Sequence, residues 1–227
     1  MSEYILLTIR SWQNAWANKV FRRSLILAIT LIVIAGVTTS FFFNYMEDSK
    51  LGVHLNDWVL KNLPAIDVSA FIVTLVTCAM AYMTIRCGTN PNMFLTLMWA
   101  YVFQLTFRIV TISATRFYAP PELIVLKDPF GSVLYHSRFI TRDLFFSGHT
   151  AFIFMFFLCL PKKREKIVML IAALTLGCLL LVQHVHYTVD VIMAPPFAFA
   201  CFWLAKRVIG FQHAYVEFKD DDIAPGN

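Results

Sequence analysis

The chain has 227 residues, of which 59% are hydrophobic and 15% charged, against about 45–50% and about 25% in a typical soluble domain. The mean hydropathy is +0.66. This composition excludes a soluble globular domain, a glycine-rich fibre and a disordered chain, and it indicates that lipid solvates most of the protein. The net charge of +5 comes without a basic stripe interleaved with aromatic residues, which argues against nucleic-acid binding.

The N-terminal segment predicts an interfacial helix. Tyr4–Lys19 is amphipathic, with Trp12 and Trp16 one turn apart, as in helices that lie along a membrane surface. We assign residues 1–23 to this segment. We predict no cleavable signal, because the first apolar run follows Arg22 and Arg23 and is too long for a signal peptide.

Six apolar runs without charges predict six transmembrane helices. They are Ser24–Met46, Val68–Ile85, Cys87–Phe107, Leu144–Pro161, Ile167–Val189 and Val191–Ala205. The first five have the roughly 17–25 residues that a helix needs to cross about 30 Å. Lys206 and Arg207 can lengthen the sixth by snorkelling. The predicted fold is an all-α, multi-pass membrane protein, with a six-helix domain over residues 24–209 and a polar C-terminal tail over residues 210–227.

The distribution of lysine and arginine along the chain predicts the orientation of the protein in the membrane. Basic residues cluster before the first span, after the second span at Arg86, in the run at residues 161–166, and after the sixth span. In a six-span topology all four clusters fall on one side, which the positive-inside rule makes cytoplasmic. Both termini are therefore predicted to be cytoplasmic. The loops at residues 47–67 and 115–143 and the turn near His186 are predicted to lie on the other side.

Two motifs carry the chemistry. The first, at residues 143–150, holds Ser147, Gly148 and His149 at the start of the fourth span. Ser147 suits an N-cap, Gly148 permits close backbone approach, and a helix N-terminus can bind a phosphate. His149 can give or take a proton there. The same residues also suit an ordinary capped helix start with an interfacial histidine.

The second motif, at residues 186–190, opens the sixth span. His186 and Asp190 lie four residues apart and therefore on one helix face. The carboxylate can orient one imidazole nitrogen and leave the other free as a nucleophile, although a structural His–Asp hydrogen bond is the alternative. Because the fourth and sixth spans begin on the same side, both histidines are predicted at one membrane face. Such a pair suits phosphoryl transfer, with one histidine attacking phosphorus and the other protonating the leaving oxygen.

Together the two motifs resemble the sphingomyelin synthase family, a membrane branch of the type-2 phosphatidic acid phosphatase superfamily. The matching residues are Asp143, Ser147-Gly148-His149-Thr150 and His186-Tyr187-Thr188 followed by Asp190-Val191. Arg108-Ile-Val-Thr111 and Leu63-Pro64-Ala-Ile-Asp67 also resemble family motifs. The family has Cys-Gly before the motif aspartate, where this chain has Thr141-Arg142.

The resemblance implies an enzyme that transfers a phosphorylated headgroup from a glycerophospholipid to ceramide and releases diacylglycerol. It implies His186 as nucleophile, Asp190 as its orienting carboxylate and His149 as acid and then base. Phosphocholine, phosphoethanolamine and phosphoinositol all stay open as the group transferred. The expected partners are membrane lipids, with no cofactor and no metal, and the active site is expected at the non-cytoplasmic face. An oligomer is compatible with the sequence.

Further residues are candidates for substrate binding. Arg108, Arg138 and Arg142 can each hold a phosphate. Asp143 can cap the helix, orient a histidine or bind a headgroup amine. Ser147 and Gly148 belong to the predicted phosphate site, and Tyr135, Phe139 and Tyr187 are candidates for contact with a cationic headgroup. His184 forms a metal-like pattern with His186 and Asp190, but the family's chemistry needs no metal.

Three other functions compete with the transferase. A lipid phosphate phosphatase or phospholipase C-like hydrolase would use water as acceptor. The phosphatase branch, however, typically carries a Lys-x6-Arg-Pro motif before Ser-Gly-His, and this chain does not. A lipid transporter would line a polar path with the histidines. A structural subunit would need neither motif.

Overall fold

The computed structural model describes residues 3–49, 51–126 and 140–221, and within these ranges it contains eight helices and no strand. The helices are α1 (Glu3–Ala17), α2 (Lys19–Asp48), α3 (Trp58–Lys61), α4 (Ser69–Thr89), α5 (Pro91–Thr115), α6 (Gly148–Cys159), α7 (Lys163–Val182) and α8 (Thr188–Asp221). One backbone bridge joins Val53 to Phe117. The predicted all-α class is confirmed for these residues.

Side-chain caps set several helix starts. The Asn18 carboxamide accepts hydrogen bonds from the amides of Val20 and Phe21, so α2 begins at Lys19, five residues before the predicted first span. Asn90 caps α5 in the same way, and Pro91 occupies the first position of that helix, where its missing N–H costs no hydrogen bond. These boundaries follow from local residue chemistry.

Five helices are long and apolar enough to cross a membrane: α2, α4, α5, α7 and the Thr188–Gly210 part of α8. The predicted fourth span, Leu144–Pro161, is helical only over the 12 residues of α6, which extend about 18 Å. Leu144 and Phe146 precede α6 outside any helix, yet both are buried within the protein. Irregular backbone is tolerated at membrane depth under such cover. The count of six spans and the cytoplasmic termini stay predictions.

Several span boundaries differ from the sequence-based expectation. The third span is predicted from Cys87, but this residue belongs to α4, and α5 begins at Pro91. The fifth span is predicted to end at Val189, but α7 ends at Val182, because residues 183–187 form the turn before α8.

Two further boundaries differ. The third span, predicted to end at Phe107, continues as α5 to Thr115, so Arg108 lies two turns inside the helix and not near its end. The apolar pattern continues past this charge, and Ile112 is buried. The helix α8 continues to Asp221, into the region 210–227, whose role as a polar tail stays a prediction.

The helices α6 and α8 begin at the same end of the bundle, which we call the motif end. Hydrogen bonds at this end tie the segments before α4 and after α5 to the α7–α8 turn. Ile66 N–H donates to the Val182 carbonyl at 3.0 Å, and Ile124 N–H donates to the Gln183 carbonyl at 3.2 Å. The loops at the motif end therefore form one connected layer.

Small residues allow α8 to pack closely in the bundle. Ala194, Ala198, Cys201 and Ala205 form a fully buried stripe along this helix, and small residues at such spacing let neighbouring helix backbones approach. Beside the stripe, the Phe197 ring stacks on Phe146 with a centroid separation of 4.3 Å. This contact joins α8 to the irregular segment that precedes α6.

Candidate active site

A backbone hydrogen bond connects the two sequence motifs. The N–H of Ser147, the N-cap of α6, donates to the carbonyl oxygen of Asp190, in the first turn of α8, at 3.0 Å. Ser147 Oγ also faces its own helix, accepting from the Thr150 amide at 3.5 Å and contacting Thr150 Oγ1 at 3.1 Å. The predicted N-cap role of Ser147 is confirmed. Residues more than 40 positions apart thus share one site.

His186 and Asp190 form a buried pair. The distance from His186 Nδ1 to Asp190 Oδ2 is 3.4 Å, and the two side chains are 3% and 0% exposed. Asp190 Oδ2 also accepts from the Tyr187 amide at 2.9 Å, which fixes the carboxylate beside the imidazole. No hydrogen bond to Nε2 is found among the described residues. Nδ1 therefore faces the carboxylate, and Nε2 is the nitrogen left for a substrate.

His149 is half-buried in the first turn of α6, directly after Gly148. Its backbone position is fixed by the Ser147 cap, and the Ser147–Asp190 hydrogen bond joins that cap to the first turn of α8. The structure therefore brings together the two motifs that carry His149, His186 and Asp190.

Arg108 lies against the N-terminus of α6. Its guanidinium forms a hydrogen-bonded ion pair with Asp143, and the two side chains are 14% and 23% exposed. A Cβ atom added at Gly148 would come within 2.7 Å of the Arg108 Cζ, and closer still to Nη1. A residue with a Cβ at position 148 would force the guanidinium to shift. Asp143 thus anchors a cation at the helix end where phosphate binding was predicted.

The sequence reasoning missed Gln104, one turn before Arg108 on α5. Its side chain is buried, and its Nε2 donates to the carbonyl of Gly148 at 2.9 Å. Farther along the same helix, Thr111 Oγ1 donates to the Phe145 carbonyl at 2.8 Å. These two bonds hold the start of α6 and the segment before it against α5. A buried glutamine in an apolar run was the signal that could have drawn attention to Gln104.

Asp57 is a second missed residue. Its Oδ1 caps α3 by accepting from the amides of Val59 and Leu60, and it also accepts from Thr188 Oγ1 at 2.9 Å. Its Oδ2 accepts from the Thr188 amide, at the first residue of α8, at 2.6 Å. Burial raises the pKa of this carboxyl, but hydrogen bonds from Thr188, Leu60 and Val59 hold the pKa below its ordinary value of 3.8. Asp57 thus fixes the start of α8, two residues after His186.

Arg142 and Tyr187, both predicted to bind substrate, make structural contacts. Arg142 is buried, donates from Nη1 to the Leu51 carbonyl at 2.9 Å and places its guanidinium 4.2 Å from the centre of the Tyr118 ring. Tyr187 is also fully buried, and its hydroxyl donates to the Tyr118 carbonyl at 3.1 Å. In this structure both side chains hold the loops at the motif end together.

His184 does not join His186 and Asp190 in a metal-like cluster. Its Nδ1 and Nε2 each lie 3.0 Å from a carbonyl oxygen, those of Pro121 and Leu63 respectively. These contacts connect the turn between α7 and α8 to the loop before α4 and to the loop after α5. The other candidates Tyr135, Arg138 and Phe139 lie outside the described residues.

Unpaired polar atoms at the site are consistent with a polar ligand. Four atoms at the site are buried and lack a hydrogen-bond partner in the part of the chain that the structure describes: Arg108 Nε, Gln104 Oε1, His186 Nδ1 and Asp190 Oδ1. Buried polar groups normally have partners, so such atoms at one site call for an explanation. With the Arg108 cation and the N-termini of α6 and α8 nearby, an anionic group is the ligand that the electrostatics favour.

Comparison with known proteins found one family that matches part of the chain. Residues 142–207 match the family described as PAP2 superfamily C-terminal. The match contains both histidine motifs, α6, α7 and the first part of α8. No curated protein and no solved structure matches the chain significantly. The match supports a lipid phosphatase or phosphotransferase-type membrane protein of the type-2 phosphatidic acid phosphatase superfamily, for which lipid partners are expected.

Proposed function

We propose that this protein is a membrane phosphotransferase that moves a phosphorylated headgroup from a glycerophospholipid to a ceramide-like lipid alcohol. The headgroup is phosphocholine or phosphoethanolamine, with phosphoinositol as a third candidate, and diacylglycerol is the first product. The reaction takes place at the non-cytoplasmic face and passes through a phosphohistidine at His186.

In the first step, Nε2 of His186 attacks the donor phosphorus, and an N–P bond replaces the P–O bond to the glycerol oxygen. Asp190, whose Oδ2 lies 3.4 Å from Nδ1, stabilises the positive charge that develops on the ring. His149 donates a proton to the departing oxygen, so that diacylglycerol leaves as a neutral alcohol. The headgroup phosphate then remains on His186.

In the second step, His149 takes the proton from the acceptor hydroxyl as the oxygen attacks phosphorus. The N–P bond breaks and the electron pair returns to His186, which restores the starting enzyme. Arg108 offers a cation for the phosphate oxygens throughout, since its guanidinium is held by Asp143 against Gly148. The fixed cation lowers the energy of the transition state without reorganisation during the reaction.

One observation carries this proposal: the Ser147–Asp190 hydrogen bond joins the two motif-bearing helix starts, with the His186–Asp190 pair and Arg108 beside them. A general acid and a nucleophile must act on one phosphorus atom. Their motifs therefore have to share one site. Here each motif lies at the start of a helix, and a hydrogen bond joins the two helix starts.

The proposal is tested by lipid analysis of the purified protein incubated with labelled glycerophospholipids and ceramide. A transferase should form diacylglycerol and a phosphorylated ceramide product in equal amounts, and neither should accumulate without ceramide. The matched control is His186→Ala, checked for monodisperse elution. Release of free phosphorylated headgroup at a rate that does not change when ceramide is added would instead indicate a hydrolase.

A further inference from the structure

A large cavity lies at the end of the bundle opposite the motif end. It has a volume of about 870 Å³ and is lined by residues from α1, α2, α5, the end of α6, α7 and α8. Its walls combine amides, such as Asn14 and Asn92, with apolar rings and the two basic side chains Lys166 and Lys206. Such a mixed lining suits an amphiphile better than a wholly polar or wholly apolar molecule.

The cavity is separate from the histidine site. Along α5, Arg108 comes 17 residues after Pro91, which lines the cavity, so the two lie about 25 Å apart. Along α8, Lys206 comes 18 residues after Thr188, or about 27 Å. Because the hydrocarbon core of a bilayer is about 30 Å thick, the two sites belong to opposite interfaces.

The two lysines give the cavity its charge. Lys166 Nζ lies 5.5 Å from the Phe157 ring centre, and Lys206 Nζ lies 5.7 Å from that of Phe202. Neither has a carboxylate partner among the described residues. The nearby acid, Glu165, pairs instead with Arg86 at 3.3 Å and with Lys162 at 3.8 Å. Within the described residues, two ammonium groups thus line one cavity without a carboxylate counter-ion.

The helix α1 closes one side of the cavity. Trp12 fixes this helix to the bundle, because its Nε1 donates to the Gly88 carbonyl at 2.7 Å and its ring meets Phe94 edge-on at 5.5 Å. Ser11, Asn14 and Ala15 of α1 face the cavity, while Leu7 and Trp16 are exposed. An amphipathic helix of this kind lies at the headgroup level of a bilayer. The cavity therefore opens where phospholipid phosphates are found.

From these features we infer that the cavity binds an anionic phospholipid, with the phosphate between Lys166 and Lys206 and an acyl chain along the apolar wall that includes Phe202. Basic pockets between membrane helices recognise anionic headgroups in this way. The inference goes beyond the proposed transferase reaction, since no group is transferred at this site.

The test uses native mass spectrometry of the full chain in detergent, titrated separately with phosphatidylglycerol, phosphatidylcholine and inorganic phosphate. The decisive variant is Lys166→Gln combined with Lys206→Gln. Its control is Lys162→Gln combined with Lys163→Gln, which removes two exposed charges from the same rim without touching the cavity lining. The wild type and the control should bind one phosphatidylglycerol at least tenfold more tightly than the cavity variant, given the contribution of each lysine near anionic lipid.

Restoring the two charges separates an electrostatic effect of the lysines from damage to the fold. The cavity variant should keep its monodisperse elution, and Lys166→Arg combined with Lys206→Arg should restore the preference for phosphatidylglycerol, since it restores both charges. Equal binding of the two lipids, or an equal loss in the rim control, would overturn the inference. Binding of inorganic phosphate as tight as that of phosphatidylglycerol would show that the site takes a free anion and no lipid. These outcomes stand whether or not the transferase reaction is found.

Discussion

The N–H of Ser147 donates to the carbonyl oxygen of Asp190 at 3.0 Å and so joins the starts of α6 and α8. One of these helices carries His149 in its first turn, and the other begins two residues after His186. The hydrogen bond involves only backbone atoms, so it places both motifs regardless of the side chains at these two positions.

Substitutions of the nucleophile and of its orienting carboxylate should reduce the transfer rate by different amounts. His186→Ala removes the atom that forms the N–P bond, so transfer should fall to background. Asp190→Asn keeps the ring but loses the charge that stabilises it, and activity should fall on the order of 10⁴-fold, as for other histidine-orienting carboxylates. The measurement is the transfer rate of monodisperse protein. Substantial transfer by His186→Ala would contradict the assignment of the nucleophile. Lipid transport that His186→Ala leaves undiminished would favour a transporter.

The effect of His149→Ala should depend on the leaving group. General acid catalysis contributes roughly 10²–10⁴-fold, and a leaving group that departs without a proton needs less of it. A donor with an activated phenolate leaving group should therefore rescue His149→Ala but not His186→Ala. The comparison is the rate of phenolate release by the two variants. Equal rescue of both would contradict the division of roles.

Gly148→Ala should displace the Arg108 guanidinium, because the added Cβ would come within 2.7 Å of its Cζ. We expect weaker donor binding and slower transfer, with a loss similar to that of Arg108→Gln. Gly36→Ala is the matched control, since a Cβ there meets nothing within 4 Å. It should keep full activity and, as a helix-interior Gly→Ala change, stabilise the protein by about 0.5–1 kcal/mol. Unchanged KM and kcat in Gly148→Ala would remove Arg108 from the site.

Asp57→Asn should act through the start of α8. The asparagine oxygen can still cap α3, but an NH₂ group replaces the Oδ2 that accepts from the Thr188 amide, leaving two donors face to face. We expect lower kcat together with lower thermal stability. Thr188→Ser, which keeps both the amide and the hydroxyl, should behave like the wild type. Activity unaffected by Asp57→Asn would deny Asp57 a positioning role.

The same carboxylate gives a pH dependence with a defined sign. Because the pKa of Asp57 is lower in the folded protein than its ordinary value of 3.8, its contribution to stability is complete above about that pH. It is lost as the pH falls through the lower, folded value. The difference in melting temperature between the wild type and Asp57→Asn should therefore be constant near neutral pH and shrink below pH 3.8. A difference that grows on acidification would contradict this assignment.

The membrane orientation can be tested in a cysteine-free background. A cysteine at Asn56, an exposed loop position at the motif end, should react with a membrane-impermeant thiol reagent applied to intact cells. A cysteine at Lys163, at the opposite end, should react only after the membrane is permeabilised. Labelling of Lys163→Cys alone in intact cells would invert the topology and place the active site on the cytoplasmic face.

Local chemistry explains what could be predicted from the sequence. The all-α class follows from the apolar runs, and the Ser147 cap follows from a short polar side chain ahead of an apolar helix. His186 and Asp190 share a face because the helical repeat places residues four apart together. Each of these features depends on residues within a few positions of one another. The extent of α6 was not predictable in this way, because the irregular segment before it depends on burial by distant residues such as Phe197.

The sequence by itself determined that this is a helical membrane protein with two histidine motifs, since composition, periodicity and capping act over short distances along the chain. Only the tertiary structure decided that Arg108 lies over Gly148, that Gln104 holds the Gly148 carbonyl and that Asp57 fixes the start of α8. These pairs are separated by 40, 44 and 131 residues. Contacts at such separations depend on how the helices pack against one another, and no local pattern encodes that packing.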